Sequence, residues 1–269
     1  MTADEGDLLR SLGFVAEGLL RGACSAALGG FADQTIWSML RADWLTNALP
    51  RPERGVASGQ SADPTPGSPE VDPRDGLPAW SAASPVLAGP RVTLREIEEG
   101  DGDVLLRLLD PAEIERCIEP PPTTPEMFRH YIAWARRQRT RARAVGFAIV
   151  AGDSPDPVGL LQVRSVGPDF GVAEWGIVLA PAWRGTGLFE DVLSLIASFV
   201  FDTLGVHRLE ARTSHFNAAV TATLRRMGAM KEASLRASFP AHGEYQDDEL
   251  WAVTDREWRR RTGKGGAAA

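Results

Sequence analysis

Two cysteines, Cys24 and Cys117, are all that the 269-residue chain contains, too few for a disulfide framework or a four-cysteine zinc site. Basic residues are in deficit: 29 Lys and Arg stand against 36 Asp and Glu, giving a net charge of −7 and a pI near 5.2. That balance argues against a dedicated nucleic-acid binder. Long apolar runs are missing too. The longest, Val192 to Phe201, is interrupted by Ser194 and Ser198 and falls far short of the ~18 residues of a membrane span. The chain opens Met-Thr-Ala-Asp-Glu, acidic where a secretion signal needs a basic segment and then an apolar one. These absences predict a soluble, cytoplasmic protein that takes neither nucleic acid nor membrane as a partner.

What is present divides the chain. Apolar residues reach 43% and charged residues 24%, the composition of a packed globular protein. Nine of the nineteen prolines, however, lie from Pro50 to Pro90 among Ser, Gly, Ala, Asp and Arg. No hydrophobic period runs through that stretch, so it cannot bury enough surface to offset its ordering entropy. Residues 50–88 are expected to be a disordered linker, leaving residues 1–49 in front and a domain over residues 89–260 behind, with 261–269 as a tail. Forty-nine residues without disulfide or metal are too few for an independent core.

The two ends of the chain resemble each other. LRSLGFVAEGLLR (residues 9–21) aligns with LRRMGAMKEASLR (224–236) at an offset of 215, and GGFADQTIWSMLRADW (29–44) aligns with GEYQDDELWAVTDREW (243–258) at 214. Gly13/Gly228, Glu17/Glu232, Arg21/Arg236, Asp33/Asp247, Trp37/Trp251 and Trp44/Trp258 are identical. The front piece therefore reads as the last third of a second copy of the domain. Either it docks as a hairpin on the domain, its own or a neighbour's, or it is a disordered remnant. The linker spans on the order of 35 Å as a flexible chain.

Within the domain the order predicted is β-α-α-β-β-β-α-β-α-β-β, a mixed sheet with helices on its faces. Thr124 and Pro125 open an amphipathic helix as cap and first residue. Three strands follow in succession from about residue 144 to 179, split by GDSPD and GPDF. The strand ending at Leu179 is stopped by Pro181, and Arg184, Gly185, Thr186 and Gly187 turn into an apolar helix. Glycines at such a turn let backbone N–H groups converge, and the helix N-terminus adds ~+0.5 of a charge, which suits a pyrophosphate. A turn that binds nothing is the alternative. No Gly-Lys-Ser/Thr follows, which excludes a Walker loop, and no third glycine completes a dinucleotide fingerprint.

With its flanking segments, the loop resembles that of the GNAT acetyltransferases, in particular the RimJ/RimL-like branch. Arg184 to Leu188 fit the family's R/Q-x-x-G-x-G/A pattern, while Phe189 stands where Gly or Ala is usual. Asn217 with Gly228 eleven residues later fits a second signature, as do HRLEART before it and GEYQDDELWAV after it. The resemblance covers residues 89–260. It implies an α/β GNAT fold with a splayed central sheet and helices on both faces, preceded by the partial repeat and linker. It further implies acetyl-CoA as co-substrate, no metal, a primary amine acceptor (a protein N-terminus or a small molecule), and a homodimer as one candidate assembly. Ile177, Val178 and Leu179 would offer backbone groups to the pantetheine arm and to the thioester carbonyl. Arg184, Gly185, Thr186, Gly187, Leu188 and Phe189 would hold the pyrophosphate, and Asn217 would contact the pantetheine or order the neighbouring loop.

Acetyl transfer to an amine needs a group that removes a proton from the amine and one that protonates the thiolate. Glu174 shares a strand face with Gly176 and Val178 and is the candidate base; a charged strand-edge residue is the alternative. Positions that often carry a Tyr or Ser in the family hold Leu224 and Val220. His215 is the candidate proton carrier, with a solvated loop His as the alternative. Glu210 and Asp247 could line the acceptor side or be structural. Trp134, Trp175, Trp251 and Trp258 read as packing, residues 136–143 as a solvated helix end, and Cys117 as inert. A catalytically weak acyl-CoA-binding module is the rival reading.

Overall fold

A computed structural model describes residues 3–12, 14–25, 31–40, 78–109, 121–152, 154–166, 170–214, 217–241 and 244–263. His215, Cys117 and Trp44 lie outside these residues. Helices α1 (Ala3–Ser11), α2 (Ala79–Ala82), α3 (Asp101–Leu108), α4 (Pro125–Thr140), α5 (Leu188–Ser198), α6 (Ala218–Arg226) and α7 (Asp255–Thr262) accompany ten strands. The strands are β1 (Val15–Ser25), β2 (Phe31–Ser38), β3 (Leu87–Ala88), β4 (Val92–Glu96), β5 (Ala144–Ala151), β6 (Pro157–Ser165), β7 (Val172–Leu179), β8 (Arg208–Ser214), β9 (Met230–Ala241) and β10 (Glu244–Thr254). They form one sheet in the order β2-β1-β9-β10-β8-β7-β6-β5-β4-β3. Only the β7–β8 pair is parallel among the described pairings.

The sheet is covered on both faces, and the strand sequences show why. Every residue of β5, AVGFAIVA, is buried, the mark of a strand with helices above and below. Phe147 and Ile149 pack on one side with Val192, Leu193 and Ile196 of α5. Ala148 packs on the other with Leu105 of α3 and with Phe128 and Ile132 of α4. The 3.6 period of α4 places Phe128, Ile132 and Ala135 inward, and Thr124 caps it by accepting from the Met127 amide at 3.1 Å. The tryptophan expectations hold for Trp175, Trp251 and Trp258, all buried; Trp258 lies on a closing helix, stacked on Phe201 at 5.9 Å.

One expectation changes, and one pair of alternatives is decided. Residues 78–88 are part of the fold rather than of the linker. Trp80 is 7% exposed and meets the Phe170 ring edge-on at 5.4 Å, Arg139 donates to the Ser81 carbonyl, and β3 pairs with β4. One large anchor outweighs a composition that averages as Pro, Ser and Ala. At the front of the chain, the segment docks on its own domain: β1 pairs with the free edge of β9 at Gly18↔Ala233, and Leu20 is buried against Ala233 and Leu250.

That docking leads into a buried charge cluster. Arg208, fully buried, pairs with Glu210 and Glu232 at 2.7 Å each and donates to the Arg21 carbonyl at 2.9 Å. Arg21 bridges Glu232 and Glu257. Burial pushes the Glu257 carboxyl up, but the Thr254 amide and the Arg21 guanidinium more than reverse this, leaving it below its ordinary value. Its stabilisation is therefore complete above the ordinary Glu value of about 4.3 and is lost as pH falls through the lower folded value. Glu257→Gln should be less stable than wild type near neutrality, and the gap should close on acidification. Urea unfolding across that range checks this; a gap independent of pH refutes it.

Candidate active site

Strand β7 carries the site because its two neighbours treat it differently. Strand β6 pairs along its whole length, from Ser165↔Ala173 to Gly159↔Leu179. Strand β8 runs parallel to it only from Val172↔Arg208 to Trp175↔Ala211. Beyond that point the strands part, and residues 176–179 have no β8 partner. A cleft of about 580 Å³ opens at the split, with Gly176, Ile177 and Val178 on one wall and Arg212, Thr213 and Ser214 on the other. Helix α4 and the α6 end close it with Tyr131, Trp134, Asn217 and Val220. An edge of unpaired strand backbone is a ready surface for an extended ligand.

The glycine loop stands at the end of the same strand. A single 3-10 turn, Pro181–Trp183, stops β7, and Gly185 and Gly187 take φ of +71° and +84°, values that side chains resist. Gly187 caps α5, so the loop amides lead into a helix N-terminus. The loop is tied internally: Thr186 Oγ1 donates to the Trp183 carbonyl at 2.8 Å, and an Arg184 Nη donates to the Leu179 carbonyl at 3.2 Å. Arg91, at the start of β4, grips it from outside through the carbonyls of Thr186 and Gly187, at 3.1 Å each, and Asp191 at 2.6 Å. A Cβ on Gly187 would stand 2.9 Å from Arg91 Nη2. Leu188 is buried in the core. Phe189 turns away from the loop and packs against Trp175, ring centres 6.1 Å apart; its bulk is absorbed by the core.

Glu174 lies on the cleft wall, its carboxylate 2.7 Å from an Arg164 Nη directly across the β6–β7 ladder. Asn217 lines the cleft and caps α6 by accepting from the Val220 amide at 3.3 Å. Leu224 is core, and Val220 faces the cleft. Glu210 and Asp247 are structural. Glu210 is buried against Arg208, and Asp247 accepts from the Ala237 amide at the β9 bulge, 2.7 Å away. Trp134 departs from its expected role. It is half-buried on the cleft wall, stacked with Tyr131 at 5.9 Å, because its helix turns that face to the split rather than to the sheet. The arginines after it are exposed except Arg139, which pairs with Glu96 at 2.9 Å.

Residues 91–230 match the family model described as the acetyltransferase (GNAT) domain. The chain belongs to the GNAT acetyltransferase family. It is 24% identical over 169 residues to the uncharacterized N-acetyltransferase p20 of Bacillus licheniformis, a match covering 62% of this chain and 95% of that protein. Among solved structures, a GCN5-related N-acetyltransferase from Brucella melitensis superposes with a TM-score of 0.55 at 24% identity, covering 65% of this chain and 80% of that one. RimL, the ribosomal L7/L12 α-N-protein acetyltransferase, solved in complex with coenzyme A, superposes with a TM-score of 0.57 at 19% identity, covering 63% and 98%. The GNAT fold is thus shown. Among the described residues there is no group of His, Cys, Asp and Glu that could hold a metal, and no helix long and apolar enough to cross a membrane.

Four residues at the site escaped the sequence. Arg91 lies almost a hundred residues ahead of the loop it holds. Arg164 and Arg212 sit on strands as ordinary cross-strand partners of Glu174 and Asp248. Tyr131, whose hydroxyl donates to Gln162 Oε1 at 3.1 Å, is hidden in an amphipathic period that reads as core.

Proposed function

We propose that the chain is an acetyl-CoA-dependent N-acetyltransferase that moves the acetyl group to a primary amine, a protein N-terminus or a small molecule, by direct attack on the thioester. The observation that carries this is the parting of β7 and β8 beyond Trp175↔Ala211, directly above a glycine loop that opens α5. Acetyl-CoA supplies the activated acyl group. The backbone of Ile177, Val178 and Leu179 receives the extended arm as an added strand, and one of these amides faces the carbonyl oxygen. The Arg184 to Phe189 loop holds the pyrophosphate through amides and charge. Glu174, kept in place by Arg164, takes the proton that the amine sheds, directly or through water. His215 and water are the candidate carriers of a proton to the departing sulfur. Asn217 fixes the start of α6 beside the pantetheine. The aromatic pair Tyr131 and Trp134 with His130 shapes the acceptor end.

A panel of amines and peptides with free N-termini, scored by thiol release from acetyl-CoA, tests the reading. Turnover with any member supports it. Binding of acetyl-CoA with no turnover across the panel favours the weak acyl-CoA-binding module, which the proton-free Val220 and Leu224 would suit.

Arg91 gives a milder check. It touches the loop through two carbonyls, so Arg91→Ala should loosen the loop without touching the proton path. The expected result is a several-fold higher Michaelis constant for acetyl-CoA with turnover little changed; steady-state kinetics showing the reverse split would refute the role.

A further inference from the structure

The front segment is a replica of one end of the domain, down to its irregularities. Helix α1 (Ala3–Ser11) and helix α6 (Ala218–Arg226) start and stop 215 residues apart. With offsets of 215 for β1 and 214 for β2, each of the seven pairs in the β1–β2 register falls on a pair of the β9–β10 register: Val15↔Ser38 on Met230↔Ala252, Gly18↔Ile36 on Ala233↔Leu250, Ser25↔Phe31 on Pro240↔Tyr245. Both register shifts coincide. At the second bulge Gly22 has φ +58° and its counterpart Ala237 +46°, and their amides donate to Asp33 and Asp247 at 2.8 and 2.7 Å. Arg10 stacks over Trp37 at 5.1 Å as Arg225 does over Trp251 at 5.0 Å.

The contact between the two copies is reciprocal. Glu17 corresponds to Glu232, and Arg21 to Arg236. Arg236 pairs with Glu17, and Arg21 pairs with Glu232; in each case the arginine's own amide also donates to the same carboxylate at 3.2 Å. Both glutamates are 4% exposed. Gly18 faces Ala233, which is its own counterpart. Residue i meeting j while j meets i, about a central pair, is the signature of a two-fold self-complementary interface. Here it is made within one chain.

The copies differ at the centre. A Cβ on Gly18 would lie 2.3 Å from the Glu232 carbonyl oxygen and 2.4 Å from Ala233 Cβ, far inside the ~4.5–5.5 Å of an ordinary cross-strand pair. The hairpin therefore approaches the β9 edge more closely than a second β9, with Ala at that position, could. The tether adds an effective concentration of about millimolar scale. We infer that the β9 edge is a self-association surface whose partner is a second copy of this chain, and that residues 3–38 fill it in cis and keep the chain single. An open β9 edge retains Glu232 and Arg236, each complementary to the other on a second copy.

The test uses the full chain. Glu17→Arg, Gly18→Glu and Arg21→Glu together reverse both ion pairs and place a side chain where no room exists, so the hairpin cannot dock. Sedimentation equilibrium over a wide concentration range should give 29.0 kDa for wild type and a rise toward twice that for the triple variant. Adding Arg236→Glu sets like charges across the self-paired edge and should return the mass to one chain. A wild type that already dimerises, a triple variant that stays single, or an association that Arg236→Glu leaves intact would each overturn the inference. Among the described residues, none of the front segment lines the cleft, so the mass readout is independent of whether the protein transfers acetyl groups.

Discussion

Arg184→Glu should remove the thermal stabilisation that acetyl-CoA confers. Binding to the native state alone adds about 2.7 kcal/mol at a hundredfold excess over the dissociation constant, roughly 5–10 °C in a domain of this size. The carboxylates at the start of α5 are paired, Asp191 with Arg91 and Glu190 with Arg226. The field that a pyrophosphate would meet thus comes from the α5 N-terminus and from Arg184. A carboxylate at position 184 both cancels that charge and satisfies the helix end in the ligand's place. Arg184 is exposed at the loop surface, so the ligand-free melting point should move little, and Arg184→Lys should retain most of the shift. A ligand-induced shift in the Glu variant equal to that of wild type would remove the loop from cofactor binding.

Glu174→Gln should lower turnover at pH 7 by about a hundredfold, the lower end for loss of a positioned base, with the acetyl-CoA Michaelis constant little changed. Gln keeps the side chain's shape and can still accept a hydrogen bond from Arg164, so the cleft wall should persist while proton uptake is lost. The deficit should shrink as pH rises toward the amine's own pKa, because an acceptor that is already neutral has no proton to give up. For an α-amino acceptor that window begins near pH 8. Rate profiles of both forms on one accepted amine decide the matter. An unchanged turnover at pH 7 with every accepted amine would take Glu174 out of the mechanism and leave water or His215.

Legibility in the sequence followed the range of the interaction. Strand and helix order, the Arg-Gly-Thr-Gly turn and the front repeat are written in local periods, breakers and motif spacing; from β4 to β10 the structure has the expected order, with α2 and β3 before it and α7 after it as additions. The repeat was visible from Glu17, Arg21, Trp37 and their counterparts, though the α1–α6 correspondence was not, since few identities mark it. The cleft itself is a register event: β8 stops pairing with β7 at Ala211 while it stays paired with β10 to Ser214, and no residue type announces that. Trp80 was lost in an average over proline-rich chain, and Trp134 and Tyr131 were lost because one helical period serves a core face and a cleft wall alike. Arg91 and Arg164 act through partners that only the folded sheet brings near.

The docked hairpin also sets an order on the making of the protein. Glu17 and Arg21 bond to residues 211 to 236 positions later in the chain, so the hairpin leaves the ribosome long before the strand it docks on. At about 5–20 residues per second, β1 and β2 wait roughly ten to forty seconds for β9 to emerge, with strand edges open to any neighbouring chain. Nascent hairpins on one polysome are identical and self-complementary in shape. Slowing translation between residues 40 and 230 should therefore lower the soluble yield of the full chain more than that of one whose first forty residues are translated last, as in a circular permutant.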